Sequence, residues 1–463
     1  MTDKTLQNLL DEQGNIVDFL RNQQVGPNAY PGVPAEYSNW RDEQLSWANA
    51  AVLFNQSFHM VDLLVTGPDA FEMLHYLAPN SFKGFVPNRA KQFAPVTPDG
   101  YVIGDVILFY LEENTFELVG RAPSIEWVEF HAASGKWDVT VERDERTAAR
   151  PDKDNRRNYR FQLQGPNAMK VLERAMGTTP PELKFFHMAP ITIAGVEVRA
   201  LRHGMVGQPG YELFGPWKDY DTVRNALIEA GKDFGLTLCG GRTYASNTLE
   251  SGWIPSPLPA IYTGDSLAEY RAWLSAKSYE AGASVGGSFV SEKIEDYYLT
   301  PWDLGYGHMV KFDHDFIGRE ALERMKDQPH RRKVTLALDT QDMLRVMSSM
   351  LQKGDRAKFL DFPSAVYAMH PYDAVLKDGR PVGISTWIGY TANEGRFLTL
   401  AMVDADVAEP GTEVTFVWGE PDGGTRKPTV ERHVQVEIKA TVAPAPYSEV
   451  ARDSYAEGWR TRG

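Results

Sequence analysis

One stretch decides the fold, Val65-Thr-Gly-Pro-Asp-Ala-Phe-Glu-Met-Leu74, because it returns later as Leu163-Gln-Gly-Pro-Asn-Ala-Met-Lys-Val-Leu172. Each copy predicts a strand, a Gly-Pro turn and the start of a helix, since proline is favoured in the first helical turn. Asp69 and Asn167 are residue types that help to initiate a helix. A solenoid needs roughly three or more repeats. Two copies therefore predict two related α+β halves that face each other across a central cleft.

The pattern changes in the last third of the chain. From Arg332 onward, runs of β-branched and aromatic residues alternate with turn signals such as Asp378-Gly379 and Pro410-Gly411. This spacing predicts a separate all-β domain of barrel or jelly-roll type. The predicted fold is thus α+β, with a first half at 1–150, a second half at 151–330 and a C-terminal β domain at 331–463.

Composition narrows the class of protein. The 463 residues are too many for one ordinary core, and a formal net charge of -14 gives no support for a nucleic-acid partner. A single cysteine, Cys239, excludes an intramolecular disulfide and a multi-cysteine metal site, so we expect a reducing compartment. No metal is expected for the function inferred below. The chain shows neither a signal peptide nor a membrane span. We therefore expect a cytoplasmic protein.

Two charged residues stand out in the first half. Asp105 is the only charge in the apolar run from Tyr101 to Tyr110, so it lies either on an exposed face or in a cavity. Arg121 follows a second strand-like run, directly before the start of a helix. A strand end is a rigid base from which a planar guanidinium can bind a carboxylate, and a structural salt bridge is the other open interpretation.

Two glycine-containing stretches stand out in the second half. Glu212 lies in a strand that follows a glycine-rich loop, where a flat ligand can approach the backbone. The stretch from Gly240 to Ala260 places Tyr244, Ser246 and Asn247 near the start of a short helix that ends in a proline-rich turn. Such polar groups can orient a ligand, or the stretch is only a capped helix and its turn.

Taken in order, the motifs of the chain resemble the aminomethyltransferase family, the tetrahydrofolate-binding T-protein of glycine cleavage and its relatives. The resemblance covers nearly the whole chain and implies two folate-domain halves, a central cleft and a C-terminal β domain. The motifs that carry it are Val65-Thr-Gly-Pro-Asp-Ala70, Val102-Ile-Gly-Asp105, Gly210-Tyr-Glu-Leu213, Leu249-Glu-Ser-Gly252, Leu304-Gly-Tyr-Gly307, Asp315-Phe-Ile-Gly-Arg-Glu-Ala-Leu322 and Val382-Gly-Ile384.

Within that family the chain is most similar to the tetrahydrofolate-dependent aryl O-demethylases that act on lignin-derived methoxybenzoates such as syringate and vanillate. This resemblance implies that a methoxy methyl group passes to N5 of tetrahydrofolate, giving 5-methyltetrahydrofolate and a phenol. A small residue at Asn28 favours syringate, which carries a second methoxy group. The markers are Tyr30-Pro31, Phe54-Asn-Gln56, Gly120-Arg-Ala-Pro123, the stretch from Ser246 to Gly264, Gly287-Ser-Phe-Val-Ser291 and Ile294-Glu-Asp-Tyr-Tyr298.

The same resemblance implies the site residues. Tyr244 meets the ether oxygen, and Asp105 competes with it because it matches the family's catalytic aspartate. The methoxybenzoate is expected to contact Arg121, Tyr30, His59, Phe58 and Asn28. Tetrahydrofolate is expected to contact Glu212, Gln56, Trp253, Phe185 and Ser246. His59 and Gln56 also have purely structural readings, as a hydrogen-bonding histidine and as an amide that holds a loop.

Several other functions remain open at this point. Vanillate or 3-O-methylgallate is the alternative aryl substrate, and another folate-dependent aminomethyl or demethyl transfer is the alternative reaction. A folate-binding protein of iron–sulfur assembly would carry a Lys-Gly-Cys-Tyr motif, which this sequence lacks. A demethylase of small sulfonium acids would not require an aromatic pocket with an arginine. A non-enzymatic folate-binding module is a further reading. We expect a monomer or homodimer.

Overall fold

The repeated stretch forms the same substructure in two different sheets. A computed structural model describes residues 4–24, 30–150, 152, 155–254, 257–424 and 427–453. In each copy a strand ends at a glycine with positive φ, +132° at Gly67 and +130° at Gly165. A Cβ atom on either glycine would lie 2.4 or 2.5 Å from a backbone oxygen of a neighbouring segment. Glycine is therefore required at this turn, and the two α+β halves predicted from the repeat are confirmed.

The role expected of the residue after each Gly-Pro pair was wrong. Neither Asp69 nor Asn167 caps its helix through its side chain. Instead Asp69 Oδ2 accepts a hydrogen bond from the backbone N–H of Asp138 at 2.8 Å, and Asn167 Nδ2 donates to the carbonyl of Phe234 at 3.1 Å. Both side chains thus tie the turn to a distant segment, which sequence proximity does not reveal.

Three β-structures account for most strands of the described chain. The first sheet has five strands, in spatial order Arg89–Phe93, Val106–Glu112, Thr115–Gly120, Val61–Thr66 and Thr140–Asp144. The second has six, in the order Leu236–Leu238, Ala51–Asn55, Asn158–Gln164, Gly210–Pro216, Val196–Leu201 and Met188–Ile193. The third is a closed barrel, in the order Arg332–Leu338, Arg396–Val403, Arg380–Thr391, Asp373–Lys377, Glu413–Trp418 and Val436–Ala443.

The barrel confirms the all-β domain expected in the last third of the chain. Its strand pairs are antiparallel, and Arg332–Leu338 closes it against Val436–Ala443. Closure leaves no unpaired edge of this sheet. A separate pair of short parallel strands, Val285–Gly286 and His370–Pro371, joins the segment before the barrel to it.

Helices cover the outer faces and the connections. Ala168–Met176 and Tyr220–Gly231 pack over the second sheet, where their apolar side chains share one core with the strands. The segment that contains Leu258, Tyr297 and Leu304 contributes to the core of the first sheet. The other helices are Leu6–Asp11, Ile16–Asn22, Trp40–Asn49, Ala70–Tyr76, Ala122–Ala133, Gly241–Tyr244, Asn247–Ser251, Ala268–Trp273, Arg319–Met325 and Thr340–Met350.

Among the described residues, no helix has the length and apolar character that a membrane crossing requires.

Candidate active site

A cavity of about 1280 Å³ is lined by residues of both sheets and of the barrel. Ile107 comes from the first sheet, Glu212 from the second and Lys333 from the barrel. A cavity of this size has room for two drug-sized ligands, since pockets for one commonly measure about 300 to 1,000 Å³. Nine of the twelve site residues inferred from the sequence line it: Tyr30, Gln56, His59, Asp105, Arg121, Phe185, Glu212, Tyr244 and Trp253.

Three aromatic side chains form one wall of the cavity. The rings of Tyr30, His59 and Tyr244 meet edge to face, with centroids 5.0, 5.2 and 4.8 Å apart. Burial, and then the charges of Arg121 and Arg156, lower the pKa of His59 to about 3. His59 is therefore a neutral imidazole at physiological pH, suited to donate or accept one hydrogen bond beside a flat aromatic ligand.

Arg121 lies at the junction predicted from the sequence. The strand Thr115–Gly120 ends beside it, and Arg121 is the N-cap residue of the helix Ala122–Ala133. Its Nη1 donates to the hydroxyl of Tyr279 at 3.2 Å. The pKa of Arg121 is raised above its ordinary value by neighbouring tyrosines, Tyr279 first, against the opposing effect of burial. The guanidinium thus stays charged in the cavity wall, where it can bind a carboxylate.

Tyr244 ends the short helix Gly241–Tyr244 with its phenol inside the cavity. Gln56 Nε2 donates to the Tyr244 hydroxyl at 3.3 Å and to the Met205 sulfur at 2.7 Å. Burial raises the pKa of Tyr244 far above its usual value, so the phenol is neutral. The hydroxyl accepts from Gln56, and its own proton has no acceptor among the described residues. Tyr244 is therefore free to donate to a ligand.

Asp105 directly precedes the strand Val106–Glu112 and lines the cavity. Of the two positions that the sequence left open, an exposed face or a cavity, the second is therefore correct. Its Oδ2 accepts three hydrogen bonds, from Gln92 Nε2 at 2.7 Å, Trp253 Nε1 at 2.8 Å and the Tyr306 hydroxyl at 2.6 Å. Burial raises the pKa of Asp105, and these donors oppose the rise by stabilising the anion. The carboxylate is held by one oxygen in a fixed orientation.

Glu212 belongs to a buried charge network between the two sheets. Arg160 Nη1 donates to Glu212 Oε1 at 2.9 Å, and Arg160 Nη2 donates to Glu117. The Arg160 guanidinium lies over the adjoining rings of Phe109 and Phe214, 4.7 and 4.5 Å from their centroids. Arg160 is only 1% exposed. The network fixes the Glu212 carboxylate at the cavity wall.

Two predicted contacts are not brought into the cavity. The Phe58 ring packs edge-on against Trp217 and Tyr220 and does not line the cavity. Ser246 is buried elsewhere, accepting from Gln44 Nε2 at 2.7 Å and donating to the carbonyl of Thr243. Asn28 lies outside the described residues. Phe58 and Ser246 therefore support neighbours of the site from behind it.

The sequence analysis missed the residues that donate hydrogen bonds to Asp105 and Glu212. Tyr306 lies within a quoted family motif, Leu304-Gly-Tyr-Gly307, and that motif was its only signal. Gln92 gave none. Arg160 gave no signal either, because it alternates with Tyr159 and Phe161 and so reads as part of the polar face of a strand.

No group of three or more His, Cys, Asp or Glu side chains that could hold a metal ion occurs in the described part of the chain.

Comparison of the sequence with known proteins gives three findings. Residues 8–256 match the family model of the GCVT N-terminal domain. The chain is similar to a syringate O-demethylase of Sphingobium sp. (strain NBRC 103272 / SYK-6), 67% identical over 99% of both chains. It is also similar to a sesamin methylene transferase of Sinomonas sp. (strain No.22), 31% identical over 91% of this chain and 92% of the other.

A solved structure shares the fold. The glycine cleavage system aminomethyltransferase T of Bartonella henselae superposes with a TM-score of 0.60. The match covers 97% of this chain and 99% of that one, at 19% identity.

Proposed function

The chain belongs to the aminomethyltransferase family, whose GCVT N-terminal domain it carries, and on this premise we propose that it is a tetrahydrofolate-dependent syringate O-demethylase. The reaction moves a methoxy methyl group from the aryl ether oxygen to N5 of tetrahydrofolate and leaves a phenol. The observation that carries the proposal is a single cavity holding the cationic Arg121 and the donor phenol of Tyr244 beside an aromatic wall. These are the groups that a methoxybenzoate requires.

Arg121 binds the substrate carboxylate. The guanidinium has further N–H groups beyond the one that bonds Tyr279, and the helix N-terminus behind it adds positive potential. The aromatic ring of the substrate then lies against Tyr30 and His59, which line the same cavity. In this arrangement the ring would lie between the Arg121 charge, which orients it, and the Tyr244 phenol.

The cavity also fits tetrahydrofolate. Gln56 Oε1 and Thr248 Oγ1 are buried side-chain atoms of the cavity wall with no hydrogen-bond partner in the described structure. Buried polar atoms are normally satisfied, so such orphans fit a polar ligand. Glu212 and Gln56 would hold the pterin N–H groups, with Trp253 and Phe185 as apolar walls. When bound, tetrahydrofolate supplies the nucleophilic nitrogen that accepts the methyl group.

Tyr244 stabilises the departing phenolate. A phenolate is a poor leaving group from carbon, so a hydrogen bond that strengthens as negative charge develops on oxygen lowers the barrier. Tyr244 has an unused proton, and Gln56 fixes the position of its hydroxyl oxygen. Its raised pKa keeps the proton in place until the ether oxygen becomes basic.

Asp105 is the second candidate for the group that donates a proton to the ether oxygen. Its Oδ2 accepts three hydrogen bonds, which fix the carboxyl group at the cavity wall, while burial raises its pKa and so favours the protonated form. We therefore give Asp105 the role of orienting the folate and Tyr244 that of meeting the ether oxygen. A monomer or homodimer located in the cytoplasm is part of the same proposal.

The test is a substrate panel. The protein is incubated with tetrahydrofolate and, separately, syringate, vanillate, 3-O-methylgallate, methyl syringate and sesamin, and 5-methyltetrahydrofolate and 5,10-methylenetetrahydrofolate are measured by chromatography. We expect syringate to react fastest and its methyl ester to lose the contribution of Arg121. A methylene donor such as sesamin has no carboxylate, so preference for sesamin would replace the proposal with methylene transfer. Equal rates with syringate and its ester would remove Arg121 from the carboxylate site.

A further inference from the structure

Arg121 is a half-buried cation with one neutral partner in the part of the chain that the structure describes. Its Nη1 donates to the Tyr279 hydroxyl at 3.2 Å, and the guanidinium makes no other hydrogen bond to a described residue. No carboxylate of the described residues forms an ion pair with it either. Charges that are withdrawn from water are normally paired. The charge of Arg121 is therefore left for an anionic ligand in the cavity, and Tyr279 holds the guanidinium from the protein side.

Tyr279 lies outside the cavity and is fixed by contacts of its own. Its ring meets the ring of His370 edge to face, with centroids 6.2 Å apart, and the Arg146 guanidinium lies 5.9 Å from its centroid. The backbone is held as well, because the Tyr279 carbonyl accepts from the N–H of Gly282 at 3.2 Å. The phenol is thus a fixed acceptor, and none of these contacts involves Arg121.

A fixed acceptor sets the orientation of a planar guanidinium. Tyr279 takes one N–H group of Arg121 and leaves the others, among them parallel pairs that match the two oxygens of a carboxylate. An arginine side chain that is free in solution loses rotamer freedom when it binds a ligand. Because Tyr279 has already fixed the guanidinium, this entropic cost falls on folding rather than on substrate binding.

We infer that Tyr279 is a positioning residue through which Arg121 selects free benzoic acids over their esters. An ester presents no charge to the guanidinium, so its binding gains little from the orientation of Arg121. The effect of Tyr279 should therefore be confined to substrates that carry a carboxylate. The inference rests on the proposed function for the identity of the ligand, while the contact between Tyr279 and Arg121 is observed independently of it.

The experiment compares the wild type with Tyr279→Phe on syringate and methyl syringate, with tetrahydrofolate as the methyl acceptor. We expect KM for syringate to rise by about fivefold or more, because hydrogen bonds to charged groups are among the stronger ones. The kcat with syringate should stay within about twofold, since Tyr279 does not line the cavity and makes no contact with the reacting atoms. Methyl syringate should keep its KM. Calorimetric titration gives the affinities of both ligands without turnover.

A double-mutant cycle with Arg121→Lys shows whether Tyr279 acts through Arg121. In Arg121→Lys the planar fork is absent, so there is no guanidinium for the phenol to orient. Adding Tyr279→Phe to this variant should change KM for syringate by no more than about twofold, the usual error of additivity. A merely structural tyrosine would have the same effect in both backgrounds.

Tyr270→Phe is the matched control. Tyr270 belongs to the same hydrophobic core, is 1% exposed and does not line the cavity. Its hydroxyl has no hydrogen-bond partner in the described structure. The variant removes a buried phenolic hydroxyl from the same region and should keep the wild-type KM for both substrates.

Equal increases of KM for syringate and its ester in Tyr279→Phe would overturn the inference, because they indicate general damage to the cavity. An unchanged KM for syringate would overturn it and leave the proposed function standing, as would an effect of full size in the Arg121→Lys background. Absence of demethylation by the wild type would reject the proposed function, and calorimetry would then decide the role of Tyr279 alone. Weaker binding of the acid but not of the ester in Tyr279→Phe supports the inference, and any other result overturns it.

Discussion

Replacing Tyr244 with phenylalanine removes one hydroxyl group and should strongly lower turnover without unfolding the protein. The hydroxyl takes part in one hydrogen bond, from Gln56 Nε2 at 3.3 Å, and Gln56 keeps its second contact with the Met205 sulfur. A neutral hydrogen bond contributes about 0.5 to 1.5 kcal/mol, and this long one belongs at the lower end. The ring contacts with Tyr30, Phe54 and His59 do not involve the hydroxyl. Folding and ligand binding should therefore be nearly unchanged.

The catalytic effect should be far larger than the structural one. Loss of an acid–base group commonly lowers turnover by about two to four orders of magnitude, or about 2.7 to 5.4 kcal/mol of transition-state stabilisation. We expect kcat of Tyr244→Phe to fall within that range while KM for syringate stays within about threefold, since the lost bond is made only in the transition state. The assay is steady-state formation of 5-methyltetrahydrofolate, with calorimetry for binding of syringate.

Tyr159→Phe is the matched control. Tyr159 is also a buried tyrosine, its hydroxyl has no hydrogen-bond partner in the described structure, and it does not line the cavity. This variant should keep native turnover. Near-native kcat in Tyr244→Phe together with abolished activity in Asp105→Asn would refute the reasoning, because the chemistry would then belong to the carboxylate.

Three further predictions concern other groups of the site. Arg121→Lys keeps the charge but loses the planar fork, so KM for syringate should rise by about tenfold or more while the rate with methyl syringate stays unchanged; a parallel change for both substrates would contradict the assignment. Glu212→Gln should weaken tetrahydrofolate about tenfold by calorimetry, because charge-assisted bonds contribute roughly 1.5 to 3 kcal/mol, and unchanged affinity would remove Glu212 from the pterin site. His59 has a folded pKa of about 3 against about 6.5 in the unfolded chain, so its contribution to stability is present above pH 6.5 and is lost as the pH falls toward 3, by up to about 1.4 kcal/mol per pH unit. Urea unfolding between pH 7 and 5 should therefore show a shallower decline in His59→Gln than in the wild type, and identical declines would show that His59 is not held neutral.

The fold class was within reach of the sequence because it depends on local and periodic patterns. Gly67 and Gly165 each stand at a turn that a Cβ atom would block, so the repeated Gly-Pro pair marks equivalent turns in the two halves. Arg121 follows the same logic, since a strand end and a helix start on either side fix its place in the chain. The resemblance to the family identified Tyr244 and Glu212 as candidate site residues, which the periodicity of the sequence does not do.

Two adjacent residues, Phe58 and His59, show that local sequence patterns do not predict the direction of every side chain. His59 lines the cavity, whereas the neighbouring Phe58 is turned away from it against Trp217 and Tyr220. No alternation rule applies because both follow the strand Ala51–Asn55 in a turn, where packing against distant segments sets the direction of each side chain.

The sequence by itself determined the two halves and the all-β domain, because turn chemistry and the spacing of apolar residues act over a few positions of the chain, and its motifs carried the resemblance to the family. Only the tertiary structure decided which residues donate hydrogen bonds to Asp105. Its donors Trp253 and Tyr306 lie 148 and 201 positions away, and Gln92 comes from a neighbouring strand. Hydrogen bonds between such distant residues depend on how the sheets and loops pack around one cavity, and that packing is a property of the whole folded chain.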